Sequence, residues 1–115
     1  MDRTLNGKIY WLVGASFGIG AALARELDTR GAGLVLSGRS EERLKEVTKT
    51  LSKSALIIPC DVTDSQSVAR ATSELGEIDG VIYMDGDYEP MTAAEWDSER
   101  ALRIADVNFN GALSV

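Results

Sequence analysis

The chain has 115 residues, which is enough for one domain with its own hydrophobic core. Its composition, 44% hydrophobic and 26% charged, is typical of a soluble globular protein, and its net charge of −6 argues against nucleic-acid binding. Histidine is absent, which excludes Ser–His–Asp and Cys–His catalysis and His-ligated metal sites. No apolar run is long enough to cross a bilayer, and the single Cys60 cannot form an internal disulfide, so we expect a cytoplasmic protein without a signal peptide.

Four short apolar runs are typical of strands that are buried on both faces, because their hydrophobic residues are continuous rather than alternating. The predicted strands are Ile9–Val13, Leu34–Leu36, Ala55–Ile58 and Val81–Met84. An amphipathic helix is predicted after the first strand, and Gly31 ends it. Its predicted inner face consists of Ile19, Ala22, Leu23 and Leu27.

Three more amphipathic helices are predicted from their caps and their apolar spacing. The second begins after Ser40 and has the inner face Leu44, Val47 and Leu51. The third begins after Asp64, ends at Gly76 and has the inner face Val68, Ala71 and Leu75. A capping box formed by Thr92 and Glu95 predicts a fourth, which carries Trp96, Ala101, Leu102 and Ala105. The basic stripe Lys45, Lys49 and Lys53 lies among glutamates, which favours a solvated helix face.

Strands and helices therefore alternate along the whole chain, with short connections. This order predicts an α/β fold, a doubly wound parallel sheet of Rossmann-like type, with about four strands and four helices. Such a fold is larger when complete, and the run Val81–Met84 would then not be an exposed apolar edge. We therefore expect residues 1–115 to be a dinucleotide-binding domain that is the N-terminal portion of a longer fold. The alternative is a natural short product whose edge is covered by self-association.

A cluster of glycines connects the first strand to the first helix. Gly14, Gly18 and Gly20 give a tight turn, close approach to a pyrophosphate and close packing of helix on strand. The amides at a helix N-terminus also attract phosphate. We therefore predict a cofactor-binding turn that includes Ser16 and Ile19, the alternative being a plain structural turn.

Three motifs in the same order resemble the N-terminal half of the short-chain dehydrogenases/reductases. They are "VGASFGIG" at 13–20, "CDVTD" at 60–64 and "VNFNG" at 107–111. The resemblance covers nearly the whole chain. It implies an NAD(P)-binding oxidoreductase that passes hydride between nicotinamide and a small-molecule carbonyl or alcohol substrate.

The end of the second strand indicates which nucleotide is bound. An acid there would bind the ribose 2′-hydroxyl, but Ser37 and Gly38 are not acidic and Arg39 follows them. An arginine suits the 2′-phosphate of NADP, and the resembling family uses one in this place. We therefore favour NADP(H) over NAD(H), the alternative being that Arg39 is an exposed turn residue.

The resemblance assigns roles to further residues. Asp61 and Val62 correspond to the pair that contacts adenine, although Asp61 also suits the start of a turn. Asn108 corresponds to the asparagine with a supporting role in catalysis, the alternative being a polar residue that breaks a helix. Gly86 corresponds to the glycine of the Asn-Asn-Ala-Gly motif after the fourth strand, and we include it in the cofactor site.

The chain also departs from the family pattern. Val13 replaces the usual threonine, and "YMDG" at 83–86 keeps only the glycine of its motif. Acids follow near the expected cleft, where we expect a solvated turn, the alternative being a cation site built from Asp85, Asp87 and Glu89. No metal site is therefore predicted.

The catalytic Tyr-x-x-x-Lys pair of the family is absent. The residues four positions after the three tyrosines are Gly14, Asp87 and Thr92. We therefore expect the chain to be inactive on its own. The alternatives are a non-catalytic NAD(P)-binding or regulatory module, and an interaction module whose glycines merely turn the chain. We also expect a homo-oligomer, in which Trp96 and Leu102 lie either at an interface or in the core.

Overall fold

A computed structural model describes residues 4–16, 18–86 and 92–115. The strands are β1 (Ile9–Val13), β2 (Gly33–Ser37), β3 (Leu56–Ile57) and β4 (Gly80–Tyr83). The longer helices are α1 (Gly18–Thr29), α2 (Glu41–Thr48), α3 (Ser65–Glu74) and α4 (Ser98–Ala105). A 3₁₀ turn (Ala93–Glu95) precedes α4, and a π-helical segment (Asp106–Asn110) joins it to α5 (Gly111–Ser114).

The four strands within these ranges form one parallel sheet in the order β3-β2-β1-β4. The chain therefore winds outward from β1 through β2 to β3, and then returns to the other side of β1. This reversal confirms the predicted doubly wound, Rossmann-like fold. It also creates a crevice between the carboxyl ends of β1 and β4, which is where such folds bind ligands.

Hydrophobic side chains pack against both faces of the sheet. Along β1, Trp11 and Val13 join a core that includes Val68 of α3, whereas Leu12 joins a core that includes Leu44 of α2. Each fully buried leucine contributes roughly 1.5–3 kcal/mol through removal from water. Alternate residues of β1 therefore hold helices on opposite faces, as the continuous apolar runs predicted.

The predicted starts of α2 and α3 and the predicted end of α1 are confirmed. However, α2 ends at Thr48, before Leu51, and α3 ends at Glu74, before Leu75 and two residues short of the predicted Gly76. Ser40 accepts a hydrogen bond from the Arg43 amide, and Asp64 accepts one from the Gln66 amide. At the end of α1, Gly31 has a φ of +95°, and its amide donates to the Asp28 carbonyl while that of Ala32 donates to Leu27. These two bonds form a Schellman motif, which needs a residue that tolerates positive φ.

Asp28 fixes the end of α1 to the loop after α2. Its buried carboxylate accepts hydrogen bonds from the amide and hydroxyl of Ser52 and from the Lys53 amide. The Lys53 ammonium donates to the Gly31 carbonyl, whereas Lys45 and Lys49 pair with glutamates of α2. Two members of the basic stripe thus lie on the solvated face that was predicted, and Lys53 caps α1.

The inner face predicted for α1 is wrong at two of its four positions. Ile19 is 76% exposed and Ala22 is exposed, while Leu23 and Leu27 are partly buried. The residues of α1 that are buried are Gly20, Ala21, Ala24 and Asp28. Small residues face the sheet because α1 approaches it closely, so the larger apolar residues turn away.

Two predicted strands also differ from the structure. The third is shortened to Leu56–Ile57 and lies at the sheet edge, with Leu56 52% exposed. The fourth begins one residue earlier, at Gly80, and Val81 is exposed. Both strands lie at the edges of the described sheet, and their exposed residues show that they are not buried on both faces as the continuous runs suggested.

The start of the fourth helix is corrected as well. Thr92 accepts from the Glu95 amide, but this cap belongs to the short 3₁₀ turn. The helix α4 begins at Ser98, where Asp97 accepts from the amides of Glu99 and Arg100. Trp96 therefore lies before the helix. A second capping residue close to the first explains the displacement of the helix start.

Trp96 and Leu102 are not core residues. They are 62% and 66% exposed, which rules out the alternative that placed them in the core. Ala105 is also exposed, and Ala101 is partly buried.

The chain stays helical through Asn108, in the π-helical segment, so the alternative in which Asn108 breaks the helix is wrong. Within the described ranges, no helix is long and apolar enough to span a bilayer.

Candidate functional site

A cleft of about 320 Å³ opens at the carboxyl end of the sheet, in the crevice between β1 and β4. The chain segments that follow β1, β2 and β4 form its walls. Its lining includes the predicted site residues Gly14, Ser16, Gly18, Ile19, Gly20, Arg39 and Gly86. Seven residues that are spread along the chain are thus brought together at one site.

Gly14 and Gly20 leave no room for side chains. Gly14 has a φ of +95°, and a Cβ placed on it would lie 2.5 Å from the Asp85 amide nitrogen. A Cβ on Gly20 would collide with the carbonyl oxygen of Gly14. The first glycine therefore lets the turn pack against the end of β4, and the third lets α1 pack against the turn.

Gly18 and Ser16 occupy different parts of the turn. Gly18 begins α1 with a φ of +62°, is exposed and lines the cleft. The Ser16 hydroxyl lies against Gly38, where a Cβ would collide with it. Ser37 is fully buried, and its hydroxyl accepts a hydrogen bond from the Trp11 indole at 2.8 Å. The end of β2 therefore packs closely against the glycine turn, with Ser37 buried and Gly38 beside Ser16.

Arg39 is exposed at the cleft, immediately after this tight corner. The lining also contains Arg43, in the first turn of α2, which the sequence did not single out. Arg39 precedes the N-cap residue Ser40 and is not helical, so no helical spacing in the sequence connected the two arginines. Two cations thus line a cleft that begins at a helix N-terminus, which is a favourable environment for phosphate.

A second cavity of about 130 Å³ adjoins the first, because Arg39, Asp85 and Gly86 line both. Asp61 and Val62 line it as well, so every residue predicted to bind the cofactor lies in one of the two cavities. Arg103 of α4 and the buried Val107 complete the lining and were not identified from the sequence. Their position depends on how the chain after β4 folds back beside the cavity, for which the sequence carries no local signal.

Asp61 also lies at the start of a turn, which was the alternative predicted for it. Its carboxylate accepts hydrogen bonds from the amide and the hydroxyl of Thr63. These bonds, from the Thr63 hydroxyl above all, lower the pKa of Asp61, and the positive charge of Arg39 lowers it further. Asp61 is therefore an anion that both shapes its turn and faces the second cavity.

Asp85 is the half-buried carboxyl group of the "YMDG" segment. Burial raises the pKa of Asp85, and the nearby charge of Arg39 acts in the opposite direction. Tyr83, in the same segment, donates its hydroxyl proton to the Val107 carbonyl at 2.5 Å. This hydrogen bond ties β4 to the π-helical segment, so the tyrosine stabilises the region in which the family motif has an asparagine.

Asn108 lies near the site but outside the lining of both cavities. A Cβ on Gly86 would lie 3.5 Å from its side-chain oxygen, so the amide reaches the loop after β4. Of the alternative cation site, the structure describes only Asp85, because Asp87 and Glu89 lie outside the described residues. Where residues are described, no group of three His, Cys, Asp or Glu side chains is arranged to hold a metal ion.

Comparison with known proteins agrees with this geometry. Residues 8–115 match the short chain dehydrogenase family, and the chain therefore belongs to that family of oxidoreductases. It is 33% identical over 112 residues to an uncharacterized oxidoreductase of Staphylococcus epidermidis, with 94% of this chain and 49% of that protein covered. A 3-oxoacyl-(acyl-carrier-protein) reductase of Rickettsia bellii is 28% identical over 105 residues, covering 91% of this chain and 44% of that protein.

Solved structures show the same relationship. A short-chain type dehydrogenase/reductase from Mycobacterium marinum superimposes with a TM-score of 0.88 and 30% identity, covering 96% of this chain and 48% of that one. One from Mycobacterium ulcerans superimposes with a TM-score of 0.87 and 27% identity, covering 98% of this chain and 45% of that one. The chain thus spans about half the length of the relatives it matches. The family binds NAD(P), and the glycine turn of this chain, with no room for a Cβ at Gly14 or Gly20, fits such a cofactor.

Proposed function

We propose that this chain is the cofactor-binding portion of an NADP(H)-dependent oxidoreductase, which transfers hydride between nicotinamide and a carbonyl or alcohol substrate. One observation carries the proposal: the glycine turn, Arg39 and Gly86 line one cleft, and Asp61 and Val62 line the cavity that adjoins it. Residues 1–115 would then form one dinucleotide-binding domain. The nicotinamide supplies the hydride chemistry, and the protein binds and orients it.

Each part of the site has a distinct role in this proposal. The turn at Gly14, Gly18 and Gly20, with Ser16 and Ile19 beside it, receives the pyrophosphate at the N-terminus of α1. Asp61 and Val62 contact the adenine, and Gly86 forms the opposite wall. Asn108 supports catalysis near the nicotinamide end of the cofactor.

The environment of Arg39 supports NADP(H) over NAD(H). An acid that selects NAD would stand at the end of β2, but this chain has Gly38 there, after Ser37, which is buried against Trp11. Arg39 follows and is exposed at the cleft, with Arg43 beside it in the lining. Guanidinium groups make strong, charge-assisted hydrogen bonds to phosphate.

Calorimetric titration with NADP⁺ and NAD⁺ tests the assignment. Wild-type chain should bind NADP⁺ more tightly, and Arg39→Ala should weaken NADP⁺ binding by about tenfold or more, as expected for a charge-assisted bond of about 1.5–3 kcal/mol. NAD⁺ binding should change little. Arg70→Ala, which removes an exposed cation from α3, is the matched control. Equal affinity for the two nucleotides in the wild type would contradict the NADP(H) assignment.

The proposal includes inactivity of these 115 residues alone. The sequence has no Tyr-x-x-x-Lys pair, so the chain lacks a tyrosine that could act as the acid with a lysine partner. Incubation of the chain with NADPH and a panel of aldehydes and ketones should leave the absorbance of NADPH unchanged. A measurable turnover would contradict this part of the proposal.

A second candidate function is a non-catalytic NAD(P)-binding or regulatory module. The half-buried Asp85 supports it, because a carboxyl group in the cleft opposes a pyrophosphate. The intact mass of the protein from its native source separates the two candidates. A mass near twice 12.4 kDa favours the enzyme, and a mass of 12.4 kDa favours the module.

A homo-oligomer is also part of the proposal. The last helical elements expose large apolar side chains, those of Leu102, Phe109 and Leu113, and Trp96 precedes them. Exposed apolar surface of this kind is typical of protein interfaces. We place the contact between subunits on this face.

A further inference from the structure

The second cavity has a helical wall to which the proposed cofactor contacts give no role. This wall consists of Arg103 and Val107, which are four positions apart across the junction of α4 and the π-helical segment, and both line the cavity. Val107 is buried, whereas Arg103 is exposed in the last turn of α4. Arg103 therefore brings a cation to the cavity that Asp61 and Val62 line from a distant part of the chain.

Two contacts hold the helical wall in place. The Tyr83 hydroxyl donates a hydrogen bond to the Val107 carbonyl at 2.5 Å. Gly111, at the start of α5, is packed so closely that a Cβ on it would lie 2.6 Å from the Tyr83 hydroxyl and 2.9 Å from a methyl carbon of Val62. The chain around α4 thus packs against both β4 and the loop after β3, and this packing carries Arg103 to the cavity.

The lining of the second cavity combines groups that suit a purine base. Val62 and Val107 are buried and provide apolar surface, while Asp61 provides a carboxylate acceptor. Arg103 provides a guanidinium group, which is planar and binds flat aromatic rings by stacking as well as by hydrogen bonds. Adenine is a flat ring system with apolar faces and a polar edge. The combination therefore matches both parts of the base.

The charges of the two cavities separate the base from the phosphates. Two arginines and one aspartate line the first cavity, and two arginines and two aspartates line the second. The pKa of Asp61 is lowered, above all by the Thr63 hydroxyl, so this carboxylate is an anion that repels a phosphate. The excess positive charge and the N-terminus of α1 lie at the first cavity. A phosphate is favoured there, which leaves the uncharged base for the cavity beside Arg103.

We propose that Arg103 is a cofactor-binding residue, whose guanidinium group contacts the adenine of the dinucleotide from the α4 side of the second cavity. This inference rests on the proposed function, which gives the same adenine to Asp61 and Val62. Arg103 lies outside the three sequence motifs of the chain, so it adds a contact that those motifs do not supply. The base is thereby held by two separate elements, the loop after β3 and the helix α4.

The variant Arg103→Ala tests the inference with ligands that share adenine and differ in their phosphates. Adenosine, 5′-AMP and 2′,5′-ADP, titrated into the ¹⁵N-labelled chain, should each bind about five- to tenfold more weakly to the variant, the size expected for one lost guanidinium–ring contact. Nicotinamide mononucleotide has no adenine and should bind both proteins equally. Arg100→Ala removes an exposed cation of the same helix that lines neither cavity, and it should change none of these affinities.

The variant Arg103→Lys separates a contact with the base from a general effect of charge. It keeps the positive charge but not the planar group, so it should also bind adenosine more weakly than the wild type. Full affinity in Arg103→Lys, a loss that grows with the number of phosphates, or no loss for adenosine would each overturn the inference and leave the proposed function intact. The proposed function fails instead if the wild-type chain binds neither NADP⁺ nor NAD⁺, and the inference fails with it.

Discussion

Gly20 shows at the scale of one residue why the turn needs glycine. Alanine there would place a methyl group against the Gly14 carbonyl, which is backbone and cannot move aside cheaply. We expect Gly20→Ala to lower the free energy of unfolding by about 1–3 kcal/mol, as overpacked sites do, and to weaken nucleotide binding. Urea denaturation measures the first effect.

Gly76 provides the matched control for this prediction. It follows α3, and a Cβ placed on it meets no atom within 4 Å. Gly76→Ala should therefore change the free energy of unfolding by no more than about 0.5 kcal/mol. If the two variants lose the same stability, the close contact at Gly20 is not what constrains the turn.

Tyr83 links two elements, because its hydroxyl joins β4 to the π-helical segment through the Val107 carbonyl. Burial raises the pKa of Tyr83 to about 12, with the negative charge of Asp85 adding to the effect. A folded-state pKa above the ordinary value of about 10 means that the protonated hydroxyl stabilises the fold below pH 10. That contribution is lost as the pH rises toward 12.

The variant Tyr83→Phe isolates this hydrogen bond. It should be less stable than the wild type by about 1 kcal/mol at pH 8, and the difference should shrink as the pH rises from 10 toward 12. Urea midpoints measured at several pH values check the prediction. A stability difference that stays constant up to pH 12 would show that folding does not raise the pKa of Tyr83.

At the scale of elements, the sequence predicted what local patterns encode. Apolar runs predicted the positions of the strands, and Ser40, Asp64 and Gly31 predicted helix ends, because each cap acts within one helical turn. The face of α1 was predicted wrongly, because close packing on the sheet selects small residues there. The start of α4 was displaced because Thr92 and Asp97 both suit a cap.

For the whole molecule, the doubly wound parallel sheet followed from the alternation of strands and helices, and the glycine turn indicated where the cofactor site would lie. Arg43, Arg103 and the burial of Asp85 could not be predicted in the same way. Arg43 lines the first cavity, Arg103 lines the second and Asp85 lines both, although the three residues lie far apart in the sequence. The residues of the site were therefore predictable where a motif carries them, and the electrostatics between them required the structure.

The proposed homo-oligomer is also a property of the whole molecule. Replacing Leu102 and Phe109 with aspartate should lower the mass measured by analytical ultracentrifugation, because charge disfavours an apolar interface. Leu56→Asp, at the opposite edge of the sheet, should leave the mass unchanged. A wild-type chain that sediments as a monomer at high concentration would contradict the proposal.

The central claim is that the crevice between β1 and β4 binds a dinucleotide. NMR titration of ¹⁵N-labelled chain with NADP⁺ tests it most directly, because every amide reports separately. The signals expected to shift are those of Gly14, Gly18, Gly20, Arg39, Val62 and Gly86. Gly33 and Gly76 lie toward the other end of the sheet and should not shift. Saturable shifts confined to the first group would support the claim, and their absence, or shifts centred elsewhere, would contradict it.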